Sequence, residues 1–141
     1  MTNKQKRFFN IAREVSFLSD FKKARVGAVV VEGNRIISTG HNSNKTSTTQ
    51  YKYNYYRFGG NIQTPSKTHA EIAALAPLIN RKDIDWAHSS IYIYRELRDG
   101  TMSCAKPCAA CARLIKDLGI RNIYYSDWDG TVVREEYLNE N

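Results

Sequence analysis

Two short groups of potential metal ligands constrain the fold of this chain more than any other feature of its sequence. His69-Ala70-Glu71 stands at the start of one predicted helix, and Pro107-Cys108-Ala109-Ala110-Cys111 stands at the start of another, 36 residues after Glu71. If the two helix starts face each other, His69, Cys108 and Cys111 can bind one zinc ion and leave its fourth position open. A fold for this chain therefore has to bring these two helix starts together.

The spacing within each group suits a catalytic zinc site. Cys108 and Cys111 are three residues apart, so their side chains share one face of a helix. A helix start favours thiolates through its unpaired N–H groups and its dipole. Zinc makes water acidic enough to act as a nucleophile near neutral pH, and Glu71 could take the proton of that water.

Three other interpretations of these residues stay open at this point. Thr68 and Glu71 fit a helix capping box, in which Glu71 would serve only the helix end. Cys108 and Cys111 also fit a redox pair of the thioredoxin type. Cys104 could complete a closed Cys3His structural zinc site, which would leave no position for water.

The first half of the chain predicts a helix, a hairpin and a long loop. Apolar residues at helical spacing predict a helix over residues 4–21. Strands are predicted over 26–31 and 35–39, joined by a tight turn at Gly33-Asn34. Residues 40–66 show no clear period, and we interpret them as a long loop of the kind that is functional or disordered.

The second half alternates helices and strands. Pro77 is expected to kink or end the helix that begins at His69, and Gly119 to end the helix that begins at Pro107. The predicted elements are a helix over 69–80, a strand over 90–94, a polar connection over 95–106, a helix over 107–118, a strand over 120–126 and a short last strand over 131–133. This order predicts one α/β domain over residues 1–141, with a mixed sheet covered by helices.

Composition excludes several classes of protein. No apolar run approaches the length of a membrane span, and the charged, amphipathic N-terminus does not resemble a secretory signal. Three cysteines do not make a disulfide framework. We therefore expect a cytoplasmic protein without a membrane partner.

The net charge of +7 is unevenly distributed. Residues 1–68 contain 12 Lys/Arg and 3 Asp/Glu, a net charge of +9, whereas residues 69–141 contain 9 and 11, a net charge of −2. The basic excess would suit an anionic ligand, either a nucleotide phosphate or a nucleic acid. A solvated basic surface would explain the charge equally well.

Four pieces of the chain together resemble the cytidine/deoxycytidylate deaminase superfamily of zinc-dependent enzymes, and the deoxycytidylate type most. They are Val26-Gly27-Ala28-Val29-Val30-Val31, Gly40-His41-Asn42, His69-Ala70-Glu71 and Pro107-Cys108-Ala109-Ala110-Cys111, in the order of the family. His-x-Glu followed by Pro-Cys-x-x-Cys is the zinc deaminase signature. The resemblance implies a three-layer fold with a central mixed sheet of about five strands flanked by helices.

The resemblance also implies functions for individual residues. It implies zinc at His69, Cys108 and Cys111, with Glu71 as the catalytic proton shuttle. It implies that Asn42 contacts the sugar or ring of the substrate, although a turn asparagine is otherwise unremarkable. Val26 could pack against the ring or belong only to the core, and backbone N–H groups near Ala70 could hold the base.

The chain departs from the family pattern in ways that affect substrate identity. Residues 95–101 look inserted, in the form of a hairpin beside the site. The residues around Asn42 read Gly-His-Asn-Ser where deoxycytidylate deaminases commonly have Gly-Tyr-Asn-Gly, and the long loop carries no further metal cluster. Residues 51–60 interleave five aromatic side chains with two cations, so this segment could roof the site, stacking a base and pairing a phosphate. Its tyrosines could instead pack on the sheet or on a second subunit.

The preferred hypothesis is hydrolytic deamination of a free pyrimidine nucleotide or nucleoside, with (d)CMP first. The alternatives are deamination of a base within a polynucleotide, either cytosine in single-stranded DNA or RNA or adenosine in tRNA, and a zinc module without catalysis. We also expect a homo-oligomer, because a small deaminase domain can complete its pocket with a loop from a neighbouring subunit.

Overall fold

A computed structural model describes residues 1–57 and 67–137, which form one mixed sheet with helices on both faces. The helices are α1 (Asn3–Ser16), α2 (Thr48–Arg57), α3 (Ala70–Leu75) and α4 (Ala109–Leu118), and the strands are β1 (Ala24–Glu32), β2 (Arg35–His41), β3 (Ser89–Leu97), β4 (Met102–Ser103), β5 (Asn122–Ser126) and β6 (Val132–Glu136). Short 3₁₀ turns lie at Ala76–Leu78 and Trp86–His88. Within the described ranges, every helix is too short or too polar to cross a membrane.

The sheet has the order β2-β1-β3-β5-β6, and β4 pairs with β3 outside this path. Among the described strands, β3 and β5 pair in parallel and the other pairs are antiparallel. A parallel pair needs a crossover, and α4 provides it between β4 and β5. The mixed α/β fold predicted from the sequence is confirmed.

The alternation of side chains along β1 divides the protein into three layers. Ala28 and Val30 face the core shared with α3 and α4, whereas Val29 and Val31 face the layer formed by α1. Buried aromatic side chains fill the second layer, where the rings of Tyr92 and Tyr124 stack with centroids 4.6 Å apart. Because residues 27–31 of β1 are buried on both faces, this part of the strand is continuously apolar and does not alternate.

Two glycines let helices lie directly on the sheet. A Cβ at Gly27 would stand 2.0 Å from the carbonyl oxygen of Ala12 in α1. A Cβ at Gly40 would stand 2.4 Å from the backbone nitrogen of Ala74 and 2.6 Å from the carbonyl oxygen of Ala70, both in α3. The close approach at Gly40 sets the position of α3, the helix that begins next to His69.

The prediction that residues 40–66 lack regular structure is wrong for α2. This helix begins after Ser47, whose hydroxyl accepts the backbone N–H of Gln50 at 3.3 Å. Its inward face carries Gln50, Tyr53 and Asn54, two of which are polar, so hydrophobic periodicity does not reveal it. The part of the loop at residues 58–66 lies outside the described residues.

The other predicted elements are confirmed with shifted ends. The first helix ends at Ser16 and not at residue 21. The helix after His69 gives way to a 3₁₀ turn at Pro77, as expected from the missing N–H of proline. Residues 95–101, which we expected to be an insertion, form the end of β3 and the turn into β4, so the predicted hairpin is confirmed.

Replacing Gly40 with alanine tests the close contact between α3 and β2. The new methyl group would overlap the α3 backbone, so we expect the free energy of unfolding to fall by about 3 kcal/mol in chemical denaturation. Gly100→Ala is the matched control, because this residue has a φ of +92° and no heavy atom near the added methyl group. The control should cost about 1 kcal/mol through its backbone conformation alone. Equal losses in the two variants would contradict the proposed contact.

Candidate metal centre

The predicted ligands His69, Cys108 and Cys111 lie together. The Nδ1 atom of His69 is 3.5 Å from the Sγ atom of Cys108 and 3.4 Å from that of Cys111. Tetrahedral zinc with ordinary Zn–N and Zn–S bonds would require a nitrogen–sulfur separation of about 3.6 Å. One imidazole and two sulfurs at this spacing are therefore a donor set that fits zinc.

Both helix starts present a ligand in place of a cap. His69 is the N-cap residue of α3 and Cys108 is the N-cap residue of α4, each with an extended backbone, and neither side chain makes a cap hydrogen bond. The two side chains point to the shared site instead. Helix α4 begins at Ala109, so the prediction that Pro107 is its first residue is wrong, and Cys111 is its third residue.

The capping-box interpretation of Thr68 and Glu71 is wrong. Thr68 lies before the N-cap position, and its hydroxyl donates to the carbonyl oxygen of Lys45 at 2.8 Å. Glu71 therefore does not serve a cap formed by Thr68.

The pKa values of the two cysteine thiols are shifted in opposite directions. A hydrogen bond from Cys111 lowers the pKa of Cys108 to about 3, with a further contribution from His69, although burial opposes the shift. The pKa of Cys111 lies well above its usual value, because its hydrogen bond to Cys108 and its burial both favour the thiol. The hydrogen bond between the two sulfur atoms thus favours one thiolate and one thiol, whereas a cation bound by both would favour two thiolates.

Glu71 is buried beside these ligands, with 5% of its surface exposed. Burial raises the pKa of its carboxyl group, although the charge of His69 acts in the opposite direction. Burial would lower the pKa of His69, but its hydrogen bond to Cys108 and the charge of Glu71 outweigh this effect and the pKa is raised. A buried carboxyl group with a raised pKa is suited to accept and return a proton near neutral pH.

The closed Cys3His alternative is not supported by the geometry. Among the residues that the structure describes, the group that could hold a metal ion contains His69, Cys108 and Cys111 and does not include Cys104. Cys104 is half-buried in the wall of the adjacent cavity. Three protein ligands leave a fourth position for water, as catalytic zinc sites require.

A cavity of about 530 Å³ opens at the ligand group, within the size range of small-molecule sites. The predicted substrate-binding residues Val26, Asn42 and Ala70 all line it, together with Glu71. Asn42 directly follows β2, and its side chain bonds to the backbone of β1 beside the site. Its Oδ1 atom accepts the backbone N–H of Val26 at 2.9 Å, and its Nδ2 atom donates to the carbonyl oxygen of Ala24 at 3.0 Å.

The wall of this cavity is basic. Arg57, Lys67, Arg95 and Lys106 line it, and Glu71 is the single acidic residue among the described lining residues. The four cations come from four separate segments of the chain. Such a wall would attract an anionic ligand.

In the described part of the aromatic segment, residues 51–57, the cation Arg57 lines the cavity and the tyrosines do not. Within the described residues of α2, the lining side chains are Asn54 and Arg57 and not the tyrosines. Tyr53 is buried and donates to Asp117 at 3.0 Å, whereas Tyr51 and Tyr55 are exposed on the outer face. Phe58, the fifth aromatic residue, lies outside the described residues.

The sequence reasoning missed the inner face of α2, which lies against His69. The Oε1 atom of Gln50 accepts the backbone N–H of His69 at 2.9 Å. The Nη1 atom of Arg57 lies 3.1 Å from the Nε2 atom of the His69 ring. A signal for this helix is present in Ser47-Thr48-Thr49-Gln50, which fits the capping-box pattern. No sequence pattern identifies the contact between Gln50 and His69.

Comparisons with known proteins agree with this site. Residues 2–127 match the family model of the cytidine and deoxycytidylate deaminase zinc-binding region. A deoxycytidylate deaminase from Mycobacterium phage D29 is 30% identical over 128 residues, which cover 84% of this chain and 90% of the relative.

Solved structures with low sequence identity share the fold. The apo structure of the dCMP deaminase from cyanophage S-TIM5 is 23% identical in sequence to this chain, with a TM-score of 0.60. The match covers 89% of this chain and 84% of the cyanophage chain. A structure of the same enzyme with dCMP and dUMP matches with the same score and covers 82% of that chain. The cytidine deaminase of Burkholderia pseudomallei is 18% identical with a TM-score of 0.65, covering 96% of this chain and 93% of its own.

The match to the family model extends over most of the chain and includes both groups of ligand residues. The chain therefore belongs to the cytidine and deoxycytidylate deaminase zinc-binding family and is a deaminase, a hydrolytic enzyme.

Proposed function

We propose that this protein deaminates (d)CMP to (d)UMP, with zinc bound by His69, Cys108 and Cys111 and with Glu71 as the proton shuttle. The observation that carries the proposal is the cavity at the ligand group. It has one buried carboxyl group beside the metal ligands and four cations in its wall. The carboxyl group suits the proton transfers of deamination, and the cations suit the phosphate of a nucleotide.

Zinc in this site would supply the Lewis acid that activates water for attack on the ring carbon bearing the amino group. Glu71 accepts the proton of that water and delivers it to the adjacent ring nitrogen. Glu71 then takes a second proton, from the hydroxyl group now on the ring carbon, and passes it to the amino group as the carbon–nitrogen bond breaks and the carbonyl forms. Water is consumed and ammonia is released, so Glu71 ends in its starting state.

The remaining walls would hold the nucleotide. Val26 would pack on one face of the pyrimidine, and the backbone N–H of Ala70 at the start of α3 would bond to its polar edge. Asn42 would contact the sugar while it keeps its bonds to β1. These assignments place the reacting carbon between Glu71 and the metal ligands.

The related proteins support a monophosphate substrate. The relative from the mycobacterial phage is a deoxycytidylate deaminase, and the cyanophage enzyme was crystallised with dCMP and dUMP. In this chain, Lys67 and Lys106 are suited to pair with a phosphate, because both are cations that line the cavity.

Glu71→Gln tests the proton shuttle, because the amide keeps the size of the side chain but cannot carry the proton. We expect kcat for dCMP to fall by about 10²–10⁴-fold, with the zinc content unchanged. Ammonia release and metal analysis measure the two quantities. Glu96→Gln is the matched control, since Glu96 is also buried but is bound to Arg25 outside the cavity. Comparable activity of Glu71→Gln and wild type would refute the proposed function of Glu71.

The phosphate assignment is tested by comparing dCMP with deoxycytidine. Lys67→Ala and Lys106→Ala should each lower kcat/KM for dCMP by about tenfold, the effect of one lost hydrogen bond to a charged group. The value for deoxycytidine should change less than about twofold in the same variants. Lys82→Ala removes an exposed lysine outside the cavity lining and serves as the control.

The same assay with single-stranded oligonucleotides separates the two substrate classes. We expect turnover of dCMP and none of cytosine within the oligonucleotides. If the enzyme deaminated the oligonucleotides but not dCMP, and its activity fell steeply with salt, the substrate would be a polynucleotide and not a mononucleotide. Ammonia release from none of the substrates would refute both.

A further inference from the structure

Helix α2 has a pair of buried polar side chains on its inner face. Gln50 is 0% exposed and Asn54 is 3% exposed, and the two residues are one helical turn apart. Burying two amides is costly unless their polar atoms are bonded. Their partners therefore show why polar residues are tolerated at these positions.

The amide of Gln50 connects His69 to Asn54. Its Oε1 atom accepts the backbone N–H of His69 at 2.9 Å, and its Nε2 atom donates to the Oδ1 atom of Asn54 at 2.8 Å. The orientation of this amide is determined by chemistry, because a flipped amide would set its NH₂ group against the N–H of His69. With both ends bonded, the Gln50 side chain is held in one rotamer.

The contact replaces the bond that a capping box would make. The N–H of Gln50 bonds to the hydroxyl of Ser47, as in a capping box, but the Gln50 side chain reaches His69 and not the start of its own helix. Helix α2 thus places its third residue at the backbone of a metal ligand 19 positions later in the chain.

The residue before His69 is also held by hydrogen bonds, which come from the segment between β2 and α2. The N–H and the hydroxyl of Thr68 both donate to the carbonyl oxygen of Lys45, at 3.0 Å and 2.8 Å. The N–H of Ser43 donates to the carbonyl oxygen of Thr68 at 3.0 Å. Gln50 extends this restraint by one residue, to the N-cap position from which the imidazole projects.

A fixed N-cap backbone matters because the His69 side chain makes no cap bond of its own. A rotation of the backbone at this residue would move Nδ1 away from the sulfur atoms of Cys108 and Cys111, which lie 3.5 and 3.4 Å from it. Zinc tolerates only small changes of these separations, since its bonds to nitrogen and sulfur have defined lengths.

We propose that Gln50 is a positioning residue of the metal centre, which fixes the backbone of His69 through a buried amide that Asn54 holds in place. Groups outside the ligand set that orient metal ligands commonly affect metal affinity by about 10- to 100-fold. The proposal rests on the assignment of His69, Cys108 and Cys111 as ligands. It goes beyond that assignment because Gln50 touches neither metal nor substrate.

Zinc affinity measured by chelator competition tests the proposal. Gln50→Met keeps the length of the side chain but removes both hydrogen bonds, and we expect it to weaken zinc binding by about 10- to 100-fold. Gln50→Asn is a milder variant, one methylene too short to reach His69, and it should weaken binding in the same direction. Gln50→Glu keeps an oxygen that accepts the His69 N–H and should bind more tightly than either of them.

Tyr53→Phe is the matched control on the same helix. It removes the bond from Tyr53 to Asp117, which joins α2 to α4, without touching His69. We expect it to lower thermal stability while zinc affinity stays within about twofold of wild type. The absorption bands of the cobalt(II)-substituted protein should shift in Gln50→Met and remain unchanged in Tyr53→Phe.

The outcomes separate the proposal from its premise. Folded Gln50→Met or Gln50→Asn with the zinc affinity of wild type would overturn the positioning function. An equal loss of affinity in Tyr53→Phe would also overturn it, since loosening of α2 would then be sufficient. If wild-type protein bound no zinc, the ligand assignment itself would fail.

Discussion

The meeting of two helix starts is the constraint on which the site depends. The imidazole of His69 and the sulfur atoms of Cys108 and Cys111 lie within 4.8 Å of one another only because α3 and α4 begin at the same place. Gly40 lets α3 lie directly against β2, which determines where His69 projects. A substitution that lifts α3 from the sheet would separate the ligands without changing any of them.

A serine at the end of β5 holds the other helix start. The hydroxyl of Ser126 donates to the carbonyl oxygen of Ser103 and accepts the N–H of Arg95, while its carbonyl oxygen accepts the N–H of Ala105. These bonds join β5 both to β3 and to the segment that precedes α4. That segment lies within a few residues of Cys108. The inserted hairpin therefore contributes to the wall of the site, although its residues provide no ligand.

Local patterns predicted the ligands and the sheet but not the contacts that orient them. The apolar run at residues 26–31 predicted a buried strand, and the two motifs predicted the ligand set, because both signals are contained in a few adjacent residues. Helix α2 was missed because its inward face contains Gln50 and Asn54, so burial there depends on hydrogen bonds and not on hydrophobicity. The basic cavity was predicted only in part, since the basic first half provides Arg57 and Lys67, whereas Arg95 and Lys106 come from the half with a net charge of −2.

X-ray absorption at the zinc edge of the loaded wild-type protein is the sharpest test of a zinc centre with three protein ligands and one water, because it counts the atoms around the metal. The three-ligand site predicts two sulfur atoms at about 2.3 Å and two lighter atoms, one from His69 and one from water, at about 2.0 Å. A shell with three sulfur atoms would place Cys104 on the metal and close the position for water. That result, or a shell without sulfur, would contradict the account of this protein as a deaminase with an open zinc centre.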